Sequence, residues 1–280
     1  MNTGQRGQHP VRGRVPALFV GHGAAVLTLD ERDPTHRWLV QCGEEVAAWQ
    51  PTAIVCVSAH YEAPVLQVTA GERPDTLHDH PVRSVYARRY AAPGSPALAG
   101  RVSSLLGGIG LETELDASRG LDHGAWVPLS LLVPAANVPV VQLSLHGSLD
   151  PALHLAMGRA LAPLRDEGVL LVGSGGVTHD QAEFRRGYLA GADPSDAPLP
   201  IRAFDEWVTS CVCDLDPPER SARLSRFLER EGARDAHPRE EHFLPLLVLS
   251  GATEDSGSRA RKPHGAFQYG LSLSAFVFEG

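Results

Sequence analysis

The chain has 280 residues, a length that suits one large α/β domain or two small ones. Hydrophobic residues make up 43% of it, enough for a sizeable core, and a net charge of -8 arises from acidic and basic residues mixed along the chain. That mixture excludes a nucleic-acid footprint and a polybasic membrane patch, and no apolar run is long enough to span a bilayer.

Residues 1–14 are polar and rich in Gly and Arg, without the apolar core of a signal peptide. They read as a mobile tail ahead of one domain, 15–280. Cys42, Cys56, Cys211 and Cys213 show no CxxC spacing and are too few for a disulfide framework. Cys56 reads as an inert core residue, and the pair near 212 as core and surface rather than metal. A reducing, cytoplasmic setting follows. The unusual figure is 13 histidines.

The first strand spans 15–20 and runs into Gly21-His22-Gly23, where glycines allow close approach to a ligand. Taken alone, this is an ordinary strand-to-helix turn. Residues 35–49 have helical spacing. The apolar run 53–57 is a buried strand that ends in Ser58-Ala59-His60-Tyr61, and 64–69 is another strand. His78-Asp79-His80 looks like a metal motif, yet such tracts in polar loops more often bind nothing. A helix over 97–106 and a short strand over 112–115 follow.

Gly120-Leu121-Asp122-His123-Gly124-Ala125-Trp126 opens an apolar helix, with Asp122 placed to cap it. Residues 138–145 form a buried strand that ends in His146, and 151–164 a helix. The strand 168–172 leads through Gly173-Ser174-Gly175-Gly176 to Thr178-His179. Residues 185–199 read as an exposed loop, and 201–215 and 218–231 as helices. Pro238 favours a helix start, with Glu240 and Glu241 in its first turn and His242 near its N-terminus. Alternation over 267–278 closes the chain with one or two strands at a sheet edge.

Strands alternating with helices predict a single α/β domain with a central, mostly parallel sheet flanked by helices. Ligands in such sheets lie beyond the carboxyl ends of the strands. His22, His60 and His179 then share one rim, and His123 and His242 reach it from helix starts. Five histidines there exceed what structure needs: about three serve an open metal site and the rest remain for acid–base work.

In order, Gly21-His22-Gly23, Ser58-Ala59-His60-Tyr61, Gly120 to Trp126, Thr178-His179-Asp180 and Glu241-His242-Phe243-Leu244-Pro245-Leu246-Leu247 resemble the class III extradiol ring-cleavage dioxygenases. The subgroup named for DOPA 4,5-dioxygenase is the nearest. The likeness covers roughly 15–280. It implies a mononuclear divalent metal, Fe(II) for ring cleavage with Zn(II) the other choice, held by His22, His60 and His242. It makes His179 the acid–base residue and His123 a second histidine of the pocket. The implied partners are a small catechol and O2, acting on a monomer or homodimer.

Two departures stand out. Many members of the wider family complete the ligand set with a carboxylate, which suits Fe(II); here the matching position is His242, with Glu241 adjacent and His237 a weaker substitute. His78-Asp79-His80 stands where the subgroup has Asp followed by an aromatic. The rival chemistry for a three-histidine site is a zinc-dependent hydrolase. A further reading gives the histidines only structural or metal-buffering roles.

Overall fold

The apolar runs read as buried strands lie side by side at the centre of one sheet. The computed structural model describes residues 14–81, 83–257 and 259–280. The segment 1–13, most of the tail read from the sequence, lies outside the described residues. The first half carries β1 (Ala17–Gly21), α1 (Pro34–Trp49), β2 (Ala53–Ala63), β3 (Leu66–Thr69), α2 (Pro96–Gly107), β4 (Thr113–Asp116), α3 (His123–Leu132) and β5 (Val140–His146). Next come α4 (Pro151–Leu161), α5 (Pro163–Asp166), β6 (Val169–Gly175), α6 (Gln181–Ala190), α7 (Leu199–Asp214), α8 (Pro217–Leu224), α9 (Ala233–Ala236) and α10 (Leu244–Ala252). The chain closes with β7 (Ala260–His264), β8 (Phe267–Gln268), β9 (Leu271–Ser272) and β10 (Ala275–Phe278).

Eight strands form a mixed sheet in the order β4-β3-β5-β2-β6-β1-β10-β7. The central strands β5, β2, β6 and β1 run parallel, and antiparallel pairing enters at β3–β5, β1–β10 and β10–β7. Strands buried on both faces must be apolar throughout, which explains the continuous Val/Ile/Leu runs. On one face Phe19, Val55, Leu143 and Leu171 pack with Phe204 of α7 and Leu246 and Leu249 of α10. On the other, Leu18, Ile54, Cys56 and Val172 pack with Leu39 of α1 and Leu129 of α3. The result is one α/β domain of three layers, as the alternation predicts.

Several elements differ from the sequence expectation. The closing strand β10 is not an edge: it lies between β1 and β7, and β7 covers it. The Arg and Lys of β7 hid its strand character. The loop expected over 185–199 shrinks to 191–198. Asp180 caps α6 by accepting from Ala182 N at 2.8 Å, and Gly191 ends it at φ 62°. The expected helix from Pro238 is a series of turns; α10 begins at Leu244, with Pro245 in its first turn. Pro163 splits the expected helix 151–164 into α4 and α5, because its ring cannot continue the hydrogen-bond ladder. The helix expected over 218–231 ends at Leu224 and resumes as a 3-10 turn, Phe227–Glu229. Strand β2 does not end at His60 but continues to Ala63.

Candidate metal centre

Beyond the carboxyl ends of β1, β2 and β6 lies a pocket of about 320 Å³, and His22, His60, His123, His179 and His242 all line it. Those three strands are neighbours in the sheet, so three distant segments deliver side chains to one rim.

His60 is placed by a bulge. Val57 of β2 pairs with Leu143 of β5, and Glu62 pairs with Leu145. Ser58, Ala59, His60 and Tyr61 therefore stand opposite Ser144 alone, and the strand swings His60 into the pocket. The bulge is pinned from below. Ser58 Oγ accepts the His60 N–H at 3.2 Å and donates to Asp122 Oδ1 at 2.8 Å. Asp122 is fully buried and also takes the Gln142 amide and, at 3.1 Å, the Ala125 N–H that starts α3. Burial pushes its carboxyl up, against the hydrogen bonds of Ser58 and Gln142. The capping role read for Asp122 is real, and the same carboxylate ties the bulge to the helix that presents His123. Gly124 has no space for a Cβ, which would collide with Ser58 Oγ.

His242 sits in the turn just before α10. Its carbonyl crosses so close to Gly175 that a Cβ there would meet His242 O, and Gly176 N donates to the same carbonyl at 3.0 Å. The end of β6 thus needs glycine for the turn to close on the sheet.

The hydrogen bonds fix which nitrogens are free. The Ser174 hydroxyl donates to Gly124 O, so its oxygen accepts the Nδ1–H of His22 at 3.0 Å. The Nδ1–H of His242 donates to Glu241 Oε1 at 2.9 Å. Both rings therefore turn a bare Nε2 inward. His242 Nε2 is buried with no hydrogen-bond partner, and His22 Nε2 lies 3.0 Å from His60 Nε2. Desolvation, with mutual repulsion among the rings, holds His22 and His242 well below the ordinary range and brings His60 to about 3. The three are neutral at pH 7, with donor atoms within 4.8 Å of one another. Three neutral imidazoles, two with the second nitrogen tied to an oxygen, form a donor set that fits a divalent cation.

His179 stacks on His242, ring centroids 3.3 Å apart. Its Nε2 accepts the Gln181 amide at 2.9 Å, and burial lowers it to about 4. His123 also lines the pocket, its ring centroid 3.9 Å from that of His60.

The partly exposed loop 78–80, read as a polar loop whose histidines more often bind nothing, sits at the pocket. Asp79 Oδ2 accepts His123 Nδ1–H at 2.9 Å and its Oδ1 accepts His123 N–H at 3.0 Å. Burial alone would raise Asp79, but the hydrogen bonds from His123 outweigh it and hold the carboxyl below its ordinary range. Asp79 and His80 line the pocket, whereas His78 stacks on Tyr86 with centroids 5.1 Å apart. His237, read as a substitute ligand, is buried elsewhere with Nε2 on Val177 O at 2.7 Å. Sequence reasoning also missed Ser174, Gln181 and Phe184. Ser174 stood in a glycine run and could have been suspected; the α6 residues carried no signal.

Residues 16–278 match the family described as the catalytic LigB subunit of aromatic ring-opening dioxygenase. A protein of Beta vulgaris named 4,5-DOPA dioxygenase extradiol is 38% identical over 93% of this chain and 95% of its own length. One of the same name from Escherichia coli K12 is 40% identical over 85% of each chain. A crystal structure of an uncharacterized Escherichia coli K12 protein, JW3007, superposes with a TM-score of 0.79 at 35% identity. It covers 95% of this chain and 100% of that one.

Proposed function

Given that the chain belongs to the LigB family of aromatic ring-opening dioxygenases, and is an oxidoreductase of the extradiol class, we propose that it inserts both atoms of O2 into a small catechol to give a muconic semialdehyde. The catechol is DOPA-like or a related single ring. The carrying observation is the convergence of His22, His60 and His242. In this reading they hold one Fe(II). A bound Fe(II) supplies the electron path between a chelating catechol and O2, whose direct reaction spin forbids.

The residues do the rest. His179 Nε2 carries the lone pair and takes a catechol hydroxyl proton in place of the Gln181 amide, then returns it during ring opening. Burial keeps the ring neutral at pH 7, so the lone pair is available, though it is a weaker base than an ordinary histidine. His123 gives its Nδ1–H to Asp79, so Nε2 is left to bond a substrate or oxygen atom. Phe184, Leu271 and Leu273 offer an apolar wall for the ring.

The test is anaerobic reconstitution with Fe(II), then oxygen uptake with a panel of catechols. Stoichiometric uptake with a yellow product, lost in His60→Ala, supports the reading. No uptake from protein that holds one tight zinc would turn it to the hydrolase chemistry.

A further inference from the structure

The pocket wall made by Leu271, Ser272 and Leu273 is tied to a carboxylate that itself lines no part of the pocket. Asp205, on α7, is buried, and its Oδ1 accepts the hydroxyls of Ser272 at 2.6 Å and Ser274 at 2.8 Å. Its Oδ2 accepts Nζ of Lys262, on β7, at 2.8 Å, and that ammonium also donates to Thr209 Oγ1 at 2.9 Å. A buried carboxylate is costly unless matched in this way. The match locks α7, β7 and the segment 271–274 together.

That segment touches the residues that precede two of the pocket histidines. Ser272 N donates to Thr178 Oγ1 at 2.7 Å, and the Thr178 hydroxyl donates to Gly270 O at 2.9 Å. The next residue is His179. Leu273 lies against Gly21, the residue before His22: a Cβ on Gly21 would stand 2.6 Å from Leu273 Cα. The segment is therefore a spacer between the backbone that carries His22 and the backbone that carries His179.

We propose that Asp205 is a positioning residue of this site. By fixing 271–274 it sets the spacing of His179 from His22 and holds the apolar wall on which a catechol ring packs. This rests on the ring-opening reading, in which a misplacement of about 1 Å can cost 100-fold in rate.

In Asp205→Ala, iron-loaded full chain should lose at least about tenfold in kcat with 4-methylcatechol, and zinc-loaded chain about as much in calorimetric affinity for it. One metal per chain should remain. Asp205→Asn, whose carbonyl still accepts from both serines, should recover to within about threefold of the parent. Ser274→Ala, which keeps the carboxylate and removes one of its donors, should fall between the two. Val208→Ala, one turn along the same helix and in the core, should lower Tm but leave both constants within about twofold. Hydrogen exchange in Asp205→Ala should rise at 271–274 and at 176–179 together. The proposal is overturned if Asp205→Ala lowers Tm and leaves kcat and affinity unchanged, if Val208→Ala loses as much activity, or if faster exchange stays within α7 and β7. If no catechol is opened or bound, the ring-opening reading fails, while exchange still decides whether Asp205 holds the segment against Thr178 and His179.

Discussion

Glu241 Oε1 lies 2.9 Å from Nδ1 of His242, and the other nitrogen of that ring is buried without a partner. The carboxylate is placed to orient one ring of the candidate ligand set from behind. Glu241→Gln should keep the fold and weaken metal affinity about 10- to 100-fold, the usual cost of losing such an outer partner. Competition against a chromophoric chelator measures it. Unchanged affinity would remove Glu241 from this role.

The ligand and acid–base roles separate by metal content. His60→Ala should lose stoichiometric metal and any rise in Tm on adding it. His179→Ala should retain one metal per chain and lose at least about 100-fold in turnover. If His179→Ala emptied the site, the stacked ring would belong to the ligand set.

Gly175→Ala places a methyl against the carbonyl of His242. Neither the β6 strand nor the turn can give way cheaply. A loss of about 3 kcal/mol, the upper end for overpacking, should appear in urea unfolding. Metal affinity should fall with it. A variant as stable as the parent would show that the turn shifts freely.

His154, which does not line the pocket, contributes to the acid limb of stability. It is buried, donates Nδ1–H to Asp150 O at 2.7 Å and accepts His146 N–H on Nε2 at 3.2 Å. Burial lowers it to about 4 from 6.5. The folded ring stays neutral while the unfolded chain takes a proton below about 6.5, so its contribution is complete above that pH and declines as pH falls toward 4. Between pH 7 and 5, metal-free parent should lose about 2 kcal/mol more than His154→Gln. Equal losses would place the acid sensitivity elsewhere.

Much of this was readable in the sequence, for physical reasons. Doubly buried strands write themselves as unbroken apolar runs, so β1, β2, β5 and β6 were legible, and with them the rim. The five histidines were legible because each follows an apolar run or opens a helix. The partners that orient them were not: Asp79, Ser174 and Glu241 act through side-chain hydrogen bonds that leave no periodic trace. The start of α10 was misplaced because Pro238 and Pro245 carry the same helix-start signal, and only the close packing of His242 on Gly175 decides between them. Strand β7 was hidden by its charge, because an edge strand is free to be polar.

The bulge at Ser58–Tyr61 separates two things that evolution could change. His60 is held within a strand that resumes its pairing on the far side, at Glu62 and Ala63, so its place belongs to the sheet. The walls of the pocket, Asp79 to Pro81 and Gln181 to Phe184, come from segments outside that sheet. Substitutions in those segments can retune what the pocket admits without moving the strand that carries His60, so chemistry and appetite are free to drift apart.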